Sequence, residues 1–341
     1  MGLSHIPLLF PFWGNCFNKE HMPFHYALFE RHSFDTTQYA ITDNVNEADM
    51  VLMPYGHNLA LRSAPDLIDL CVAESTRQKK VLIIDGVGDI EYPISLPNTL
   101  VLRYGGYRFS RKQNEIIIPL YADDLLEEYC DGRMQIRQKG KKAKIGFSGW
   151  AELTTKQEIR TVIKELPIRV RSIFNSRYGA CKKGIFFRRE AIVAISNSSV
   201  VDANFLIRHS YSGHSMTASD TVEKLRKEFV DNLLESDYAL DVRGDANNST
   251  RLFEILSLGR IPVIIDTERN FPFSDKVDYS SFALIVDFRD IKKLPEKIAE
   301  FHKNISHERF AEMQKNARDA YVNYFRVDAL TRHVVEELQK C

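Results

Sequence analysis

The stretch Ser236–Asp266, SDYALDVRGDANNSTRLFEILSLGRIPVIID, decides how the rest of the chain is read. Tyr238–Val242 is an aliphatic run with the character of a buried strand, and it ends at Arg243-Gly244. A polar loop, Asp245 to Asn248, leads to Ser249-Thr250, where a helix begins that Gly259 ends. The next strand is Ile261–Ile265. A helix start collects free backbone N–H groups and the positive end of the helix dipole. Arg243 and Arg251 flank that start, and Gly244 lets the backbone approach a ligand closely. The pattern is an anion site of the phosphate-binding kind at the carboxyl end of a strand, where α/β sheets bind ligands. Its candidate residues are Arg243, Gly244, Asn248, Ser249, Thr250, Arg251 and Glu254. Glu254 lies three residues after Arg251, so both project from one helix face, and a carboxylate there can accept both hydroxyls of a ribose. The bland alternative is a surface pair worth ~0.3 kcal/mol.

Outward from this block the same alternation continues. Toward the N-terminus, His5–Phe10, Met50–Met53, Val81–Asp85, Leu100–Arg103 and Ile116–Ile118 read as strands, with Pro65–Gln78 as a helix among them. A helix is expected from Ala122 to about Ile136, and the basic stretch Arg137 to Lys142 reads as a linker. A second series follows: strands at Ile145–Ser148, Asn204–Ile207, Tyr238–Val242, Ile261–Ile265 and Ala283–Val286. Helices are expected at Thr154–Glu165, Thr221–Leu234, Thr250–Leu258, Pro295–His302 and about His307–Gln339. Aliphatic strands separated by helices mark parallel sheets covered on both faces. The expected domains are 1–140, 141–320, and a C-terminal helix over 321–341 that packs back on the first.

Composition narrows the class. The chain has 341 residues, 44% hydrophobic and 27% charged, ordinary for a soluble globular protein of two domains. Forty-six basic residues balance 46 acidic ones, which argues against a general nucleic-acid binder. Five scattered cysteines without a C-x-x-C pair fit a reducing compartment. The sequon at Asn248 falls inside the anion site, where a glycan would block it. The apolar start, Met1 to Trp13, is short, broken by prolines and without a basic n-region, so it reads as neither a membrane span nor a signal peptide. A cytoplasmic location is expected.

The block resembles the exostosin family of glycosyltransferases. That family's strand, R/P-G, S-x-R-L/F-x-E and G-x-I-P-V-I stand here as Arg243-Gly244, Ser249-Thr250-Arg251-Leu252-Phe253-Glu254 and Gly259-Arg260-Ile261-Pro262-Val263-Ile264. Phe271-Pro272-Phe273 and Asp278 to Phe282 resemble its PF…W-x-x-F stretch, with Tyr279 in place of the usual Trp. Glu47 to Tyr55, Asn114 to Pro119 and Phe147-Ser148-Gly149 resemble further family segments in the same order. The resemblance implies an α/β GT-B fold, two Rossmann-like domains with parallel sheets facing across a cleft. It implies an inverting transfer from a nucleotide sugar, a UDP-sugar, bound by the second domain, to a glycan acceptor bound by the first. It also points to a short, anchor-less member of bacterial or viral type.

No Asp-x-Asp occurs in the sequence, so no metal and no cofactor are expected, and arginine with a helix end replaces the metal at the leaving diphosphate. Inversion by direct displacement needs a base near the acceptor hydroxyl. The loop after Val81–Ile84 offers Asp89 first and Asp85 second, with His57 a third candidate; Asp85 also suits a turn or cap. Between Lys156 and Arg189 stand ten basic residues against Glu158 and Glu165, with Arg188, Arg189 and Arg208 the ones nearest strand or helix ends. That surplus suits a sugar nucleotide, an anionic acceptor or peripheral contact with an acidic membrane, or else a solvated face. A dehydrogenase or epimerase should show G-x-G-x-x-G near a strand, which is absent. The remaining alternative is a catalytically inactive glycan- or sugar-nucleotide-binding protein of the same fold.

Overall fold

The computed structural model describes residues 3–88, 93–210 and 220–340. The aliphatic runs form two parallel sheets. In the first, β1 (Val51–Leu52), β2 (Leu82–Asp85), β3 (Thr99–Arg103) and β4 (Glu115–Ile117) lie side by side in chain order. The second holds β5 (Lys144–Trp150), β6 (Asp202–Arg208), β7 (Tyr238–Asp241), β8 (Ile261–Asp266) and β9 (Leu284–Asp287) in the order β6-β5-β7-β8-β9. Strands β2, β3 and β7 are buried along their whole length, as a sheet covered on both faces requires. The architecture is therefore two parallel-sheet α/β halves, with a cleft between them.

The second sheet reverses direction. The chain places β6 on one side of β5 and β7 on the other. At such a switch point the loops leaving the two strands diverge and open a crevice at their carboxyl ends. Ser148–Trp150 closes β5 on one side of that crevice, and the segment after Asp241 forms the other.

A shared core joins the halves. One buried cluster runs from Phe10, Phe29 and Phe34 through Leu100 and Leu102 of the first sheet to Leu252, Phe253 and Leu256 of the helix Thr250–Ser257, and on to Tyr321, Phe325 and Leu330. That helix also presents Ile255 to Leu126, Phe229 and Leu233. The C-terminal helix Val327–Gln339 lies against the first half, where the Asp35 backbone N–H donates to Thr331 Oγ1 at 3.0 Å. A second weld lies at Tyr104–Arg108. Tyr107 bridges Arg269, the Asn270 N–H donates to the Gly106 carbonyl at 3.0 Å, and Arg108 pairs with Asp266 at 2.9 Å.

Four expected elements differ. His5–Phe10 is not a strand: Pro7 opens a turn over Pro7–Leu9 that runs into the short helix Phe10–Trp13, and only His5 makes a bridge, to Tyr55. The helix expected to reach about Ile136 covers Leu125–Cys130, because Asp131 and Gly132 both adopt positive φ, 50° and 69°, and end it. The long C-terminal helix is broken. A π turn at Tyr321–Phe325 turns both of those aromatic side chains into the shared core, and Arg326 is extended before the helix resumes. The helix at Thr154 starts with the expected cap, a full capping box with Gln157, but continues to Phe174. No helix among the described residues is long and apolar enough to cross a membrane.

Phe325 is fully buried at this junction. Phe325→Ala should therefore cost ~3–5 kcal/mol, read as a lower urea midpoint at which both halves unfold together. An unchanged midpoint would show that the two halves do not depend on the shared core.

Candidate functional site

A cleft of about 790 Å³ opens at the switch point. The second half supplies Ser148–Trp150, Arg188 and the loop and helix start from Gly244 to Arg251, while the first supplies Phe24 and His25 and the segment Leu120–Asp123 after β4.

Among the described residues, Arg251 has no ion-pair partner. Its guanidinium lies 4.2 Å from the centre of the Phe147 ring, and Nη2 donates to the Ser148 carbonyl at 2.7 Å. Nε and Nη1 are buried with no hydrogen-bond partner among the described residues. Gly149 makes room for it: at φ +153°, a Cβ there would stand 2.6 Å from Nη2. Arg188 stands nearby, donating from Nη1 to the Trp150 carbonyl at 3.2 Å. Burial, and after it the Arg251 charge, pull the Arg188 pKa down to about 10. Burial likewise lowers the pKa of Arg251, although Glu254 and Asp241 oppose it. Two desolvated cations bonded to carbonyls rather than carboxylates are costly unless an anion joins them. Ser148, whose hydroxyl is also buried without a partner among the described residues, lines the same cleft. Ser249 occupies the N-cap position yet makes no capping bond, so the first-turn amides of the eight-residue helix Thr250–Ser257 stay uncapped at the cleft wall. An anion with several oxygens fits this set.

Glu254 sits one turn further in, paired with Arg226 at 2.5 Å. Arg226 reaches on to Asp123 of the first half at 3.5 Å, and Asp123 pairs with Arg31 at 3.2 Å. Burial works against the Arg226 charge, but Glu254 and Asp123 outweigh it and hold its pKa above the ordinary range. Burial raises the Asp123 carboxyl to about 6, with Arg226 pulling the other way. His25 lines the cleft with no hydrogen bond or ion pair among the described residues. Desolvation against the wall, together with Arg226, outweighs Glu254 and keeps the His25 pKa below 6.5.

Of the residues expected at the anion site, Gly244, Asn248, Ser249, Thr250, Arg251 and Glu254 line the cleft, and Arg243 does not. Arg243 is 1% exposed and turned inward, donating to the carbonyls of Asp245, Ala180 and Lys182. It braces the loop from behind. The close backbone approach falls to Gly184, where a Cβ would lie 2.2 Å from the Gly244 carbonyl; at Gly244 itself a Cβ would meet only Arg188, at 3.7 Å. Asn248 serves partly as a latch, its amide donating to the Tyr104 carbonyl at 2.7 Å, and Asn247 beside it donates to the Gly106 and Thr267 carbonyls.

The base candidates separate. Asp89 lies outside the described residues. Asp85 is 2% exposed and does not line the cleft. Its oxygens accept from the Val87 N–H at 2.8 Å and the Tyr104 hydroxyl at 3.0 Å, which is the turn role. His57 is also off the cleft wall. Arg226, Asp123 and His25 gave no local signal, since each comes from a different element; Arg188 stood out only as part of the basic run. Among the described residues, His32, Asp124 and Glu127 are close enough to share a cation, but Arg318 and Arg326 already neutralise the acids, and none of the three lines the cleft.

Residues 111–301, more than half of the chain, match the Exostosin GT47 domain. The chain belongs to the exostosin GT47 family. It is 32% identical to the Exostosin-1 homolog of Caenorhabditis elegans over 122 residues, 36% of this chain and 31% of that relative, so the match spans under a third of the relative's length. Among solved structures it is similar to Anabaena Alr3699/HepE in complex with UDP and glucose, with a TM-score of 0.36 and 11% identity over 86% of this chain and 78% of that one. It is also similar to the pneumococcal O-GlcNAc transferase GtfA in complex with UDP and GlcNAc, with a TM-score of 0.34 and 9% identity over 82% and 54%. Likeness at that level says nothing about the site; the GT47 membership and the two parallel sheets stand without it.

Burial lifts the Asp85 carboxyl from its ordinary 3.8 to about 6, although Val87 and Tyr104 favour the charged form. The folded state then holds its proton where the unfolded chain has lost it, so Asp85 subtracts stability as pH rises from about 4 to 6. Asp85→Asn should gain on the parent across that window and hold a constant difference above it, read by urea unfolding at a series of pH values. A difference that does not change with pH would mean that the carboxyl titrates normally.

Proposed function

We propose that this protein is an inverting glycosyltransferase that moves a sugar from a UDP-sugar to a glycan hydroxyl. The observation that carries the reading is Arg251, buried with two unpartnered nitrogens beside Arg188, Ser148 and an uncapped helix start. In this reading Arg251, Arg188 and the first-turn amides take the diphosphate. Glu254, fixed through one oxygen by Arg226, accepts from the ribose. The acceptor oxygen attacks the anomeric carbon, the bond to the diphosphate breaks, and UDP leaves with its charge met by the two arginines instead of a metal. The acceptor proton passes to a base on the first half. Asp89 holds that role in the proposal, and His25, free of any ion pair on the cleft wall and neutral at pH 7, is the second candidate. We propose that the reaction runs in the cytoplasm, a reading supported by five scattered cysteines without a C-x-x-C pair.

UDP should stabilise the protein in the presence of a chelator, by ~2.7 kcal/mol at a hundredfold excess over its dissociation constant. Stabilisation that appears only with manganese would sink the metal-free reading. UDP stabilisation with no sugar transferred or released would instead favour a binding protein.

Arg251→Ala should lower both UDP affinity and turnover, because charge on the diphosphate grows during transfer. Glu254→Gln should raise the Michaelis constant for the donor more than it lowers turnover. Asp89→Asn should cut transfer ~10²-fold or more with UDP binding near normal. The same loss in His25→Asn, with little in Asp89→Asn, would move the base to His25.

A further inference from the structure

The helix Thr155–Phe174 carries an apolar face that the fold leaves uncovered. Ile159, Ile163, Leu166, Val170, Ile173 and Phe174 are each between 51% and 86% exposed. They recur every three or four residues, so they form one stripe along the helix. The opposite face fastens the helix to the protein. Glu165 there is 4% exposed, accepts from the Lys183 N–H and pairs with Arg169, and Thr161 reaches the cleft wall. The stripe therefore points directly away from the protein. Single exposed apolar residues are ordinary, but six in one line on one helix are not.

Charge identifies what covers it. Lys156, Arg160 and Lys164, four residues apart, form an exposed row beside the stripe, and Arg171 continues it. None of the four makes an ion pair among the described residues. The acids of the same helix are used up: Glu158 pairs with Arg189 at 2.8 Å, and Glu165 is buried. The outward surface is thus apolar and positive. A second copy of this helix would set two rows of cations side by side, whereas lipid phosphates and serine headgroups supply the missing negative charge. The helix is far too charged to enter the hydrocarbon core, and an amphipathic helix with a cationic flank lies along the interface instead.

We infer that the helix Thr155–Phe174 docks on an anionic membrane surface, with its apolar stripe among the acyl chains nearest the headgroups and its lysines and arginines on the lipid phosphates. The inference is independent of the transfer chemistry. Because Thr161 and Leu153 line the cleft behind this helix, docking would hold the cleft beside the bilayer.

The full chain should co-sediment with phosphatidylcholine vesicles that contain phosphatidylserine and at least ~10-fold more weakly with phosphatidylcholine alone, and salt should release it. Two sets of substitutions separate the contributions, and every site is exposed, so the melting temperature should stay near that of the parent. Lys156→Gln, Arg160→Gln and Lys164→Gln together should weaken binding to the anionic vesicles ~10-fold or more. Ile173→Ser with Phe174→Ser should weaken binding to both kinds of vesicle. Equal affinity for neutral and anionic vesicles overturns the inference, as does binding that survives both sets. Failure to bind vesicles, together with dimerisation in solution that Ile173→Ser and Phe174→Ser abolish, assigns the stripe to a second copy instead.

Discussion

Beyond its first turn the helix Thr250–Ser257 turns only Glu254 to the cleft and is otherwise enclosed, and most of the structure follows from that constraint. Every residue from Leu252 to Ser257 is buried. One side is claimed by the core shared with Phe29, Leu102 and Phe325, the other by Leu126, Phe229 and Leu233. A helix so enclosed cannot slide or rotate without exposing apolar surface to water. Its N-terminus is therefore fixed relative to both sheets at once. The cleft exists where that N-terminus meets the end of β5, and the first half reaches it through the same core.

Two arginines of the cleft, Arg251 and Arg188, differ from those of the interior that are paired with acids. Deep in the second half, Arg269 and Asp241 form a buried pair at 2.7 Å whose charges cancel. Arg226 is similarly spent on Glu254 and Asp123. Arg251 and Arg188 are held by carbonyls and an aromatic face instead, which satisfy donors without neutralising charge. A guanidinium placed this way keeps its full field in a poorly hydrated site, and that field acts on whatever anion enters. The Arg226 chain does a second job, since it ties Glu254 on the cleft wall to an acid of the opposite wall.

The alternation of aliphatic runs and helices was readable from the sequence because buried parallel strands leave a strong local mark. So was the block from Arg243 to Ile264, since the strand, polar loop, helix start and glycine stop lie within a few turns of one another. Two of the misjudged elements have local causes, Pro7 in one and the Asp131-Gly132 turn in the other, and a third is governed by distant partners. Tyr321–Phe325 has ordinary helical periodicity, yet both aromatics are needed in a core that draws on both halves, and the helix breaks to place them. The helix expected over Thr154–Glu165 runs on to Phe174, and only the packing shows that its apolar residues face outward while its polar side fastens it.

For the site, the sequence determined that this helix start would stand at the end of a buried strand and that an arginine and a glutamate would share its face, because spacing along one helix is a local property. Tertiary structure decided which charges face the cleft. Arg243 and Arg251 are equivalent as letters flanking one loop, but Arg243 is turned inward onto three carbonyls, while Arg251 lines the cleft with Nε and Nη1 unpartnered among the described residues. Asp85 likewise has the look of a loop carboxylate, and the hydroxyl of Tyr104, nineteen positions away, turns it into a turn brace. A residue's chemistry depends on whether its polar atoms are already satisfied, and the partners that satisfy them come from elements that only the folded chain brings together.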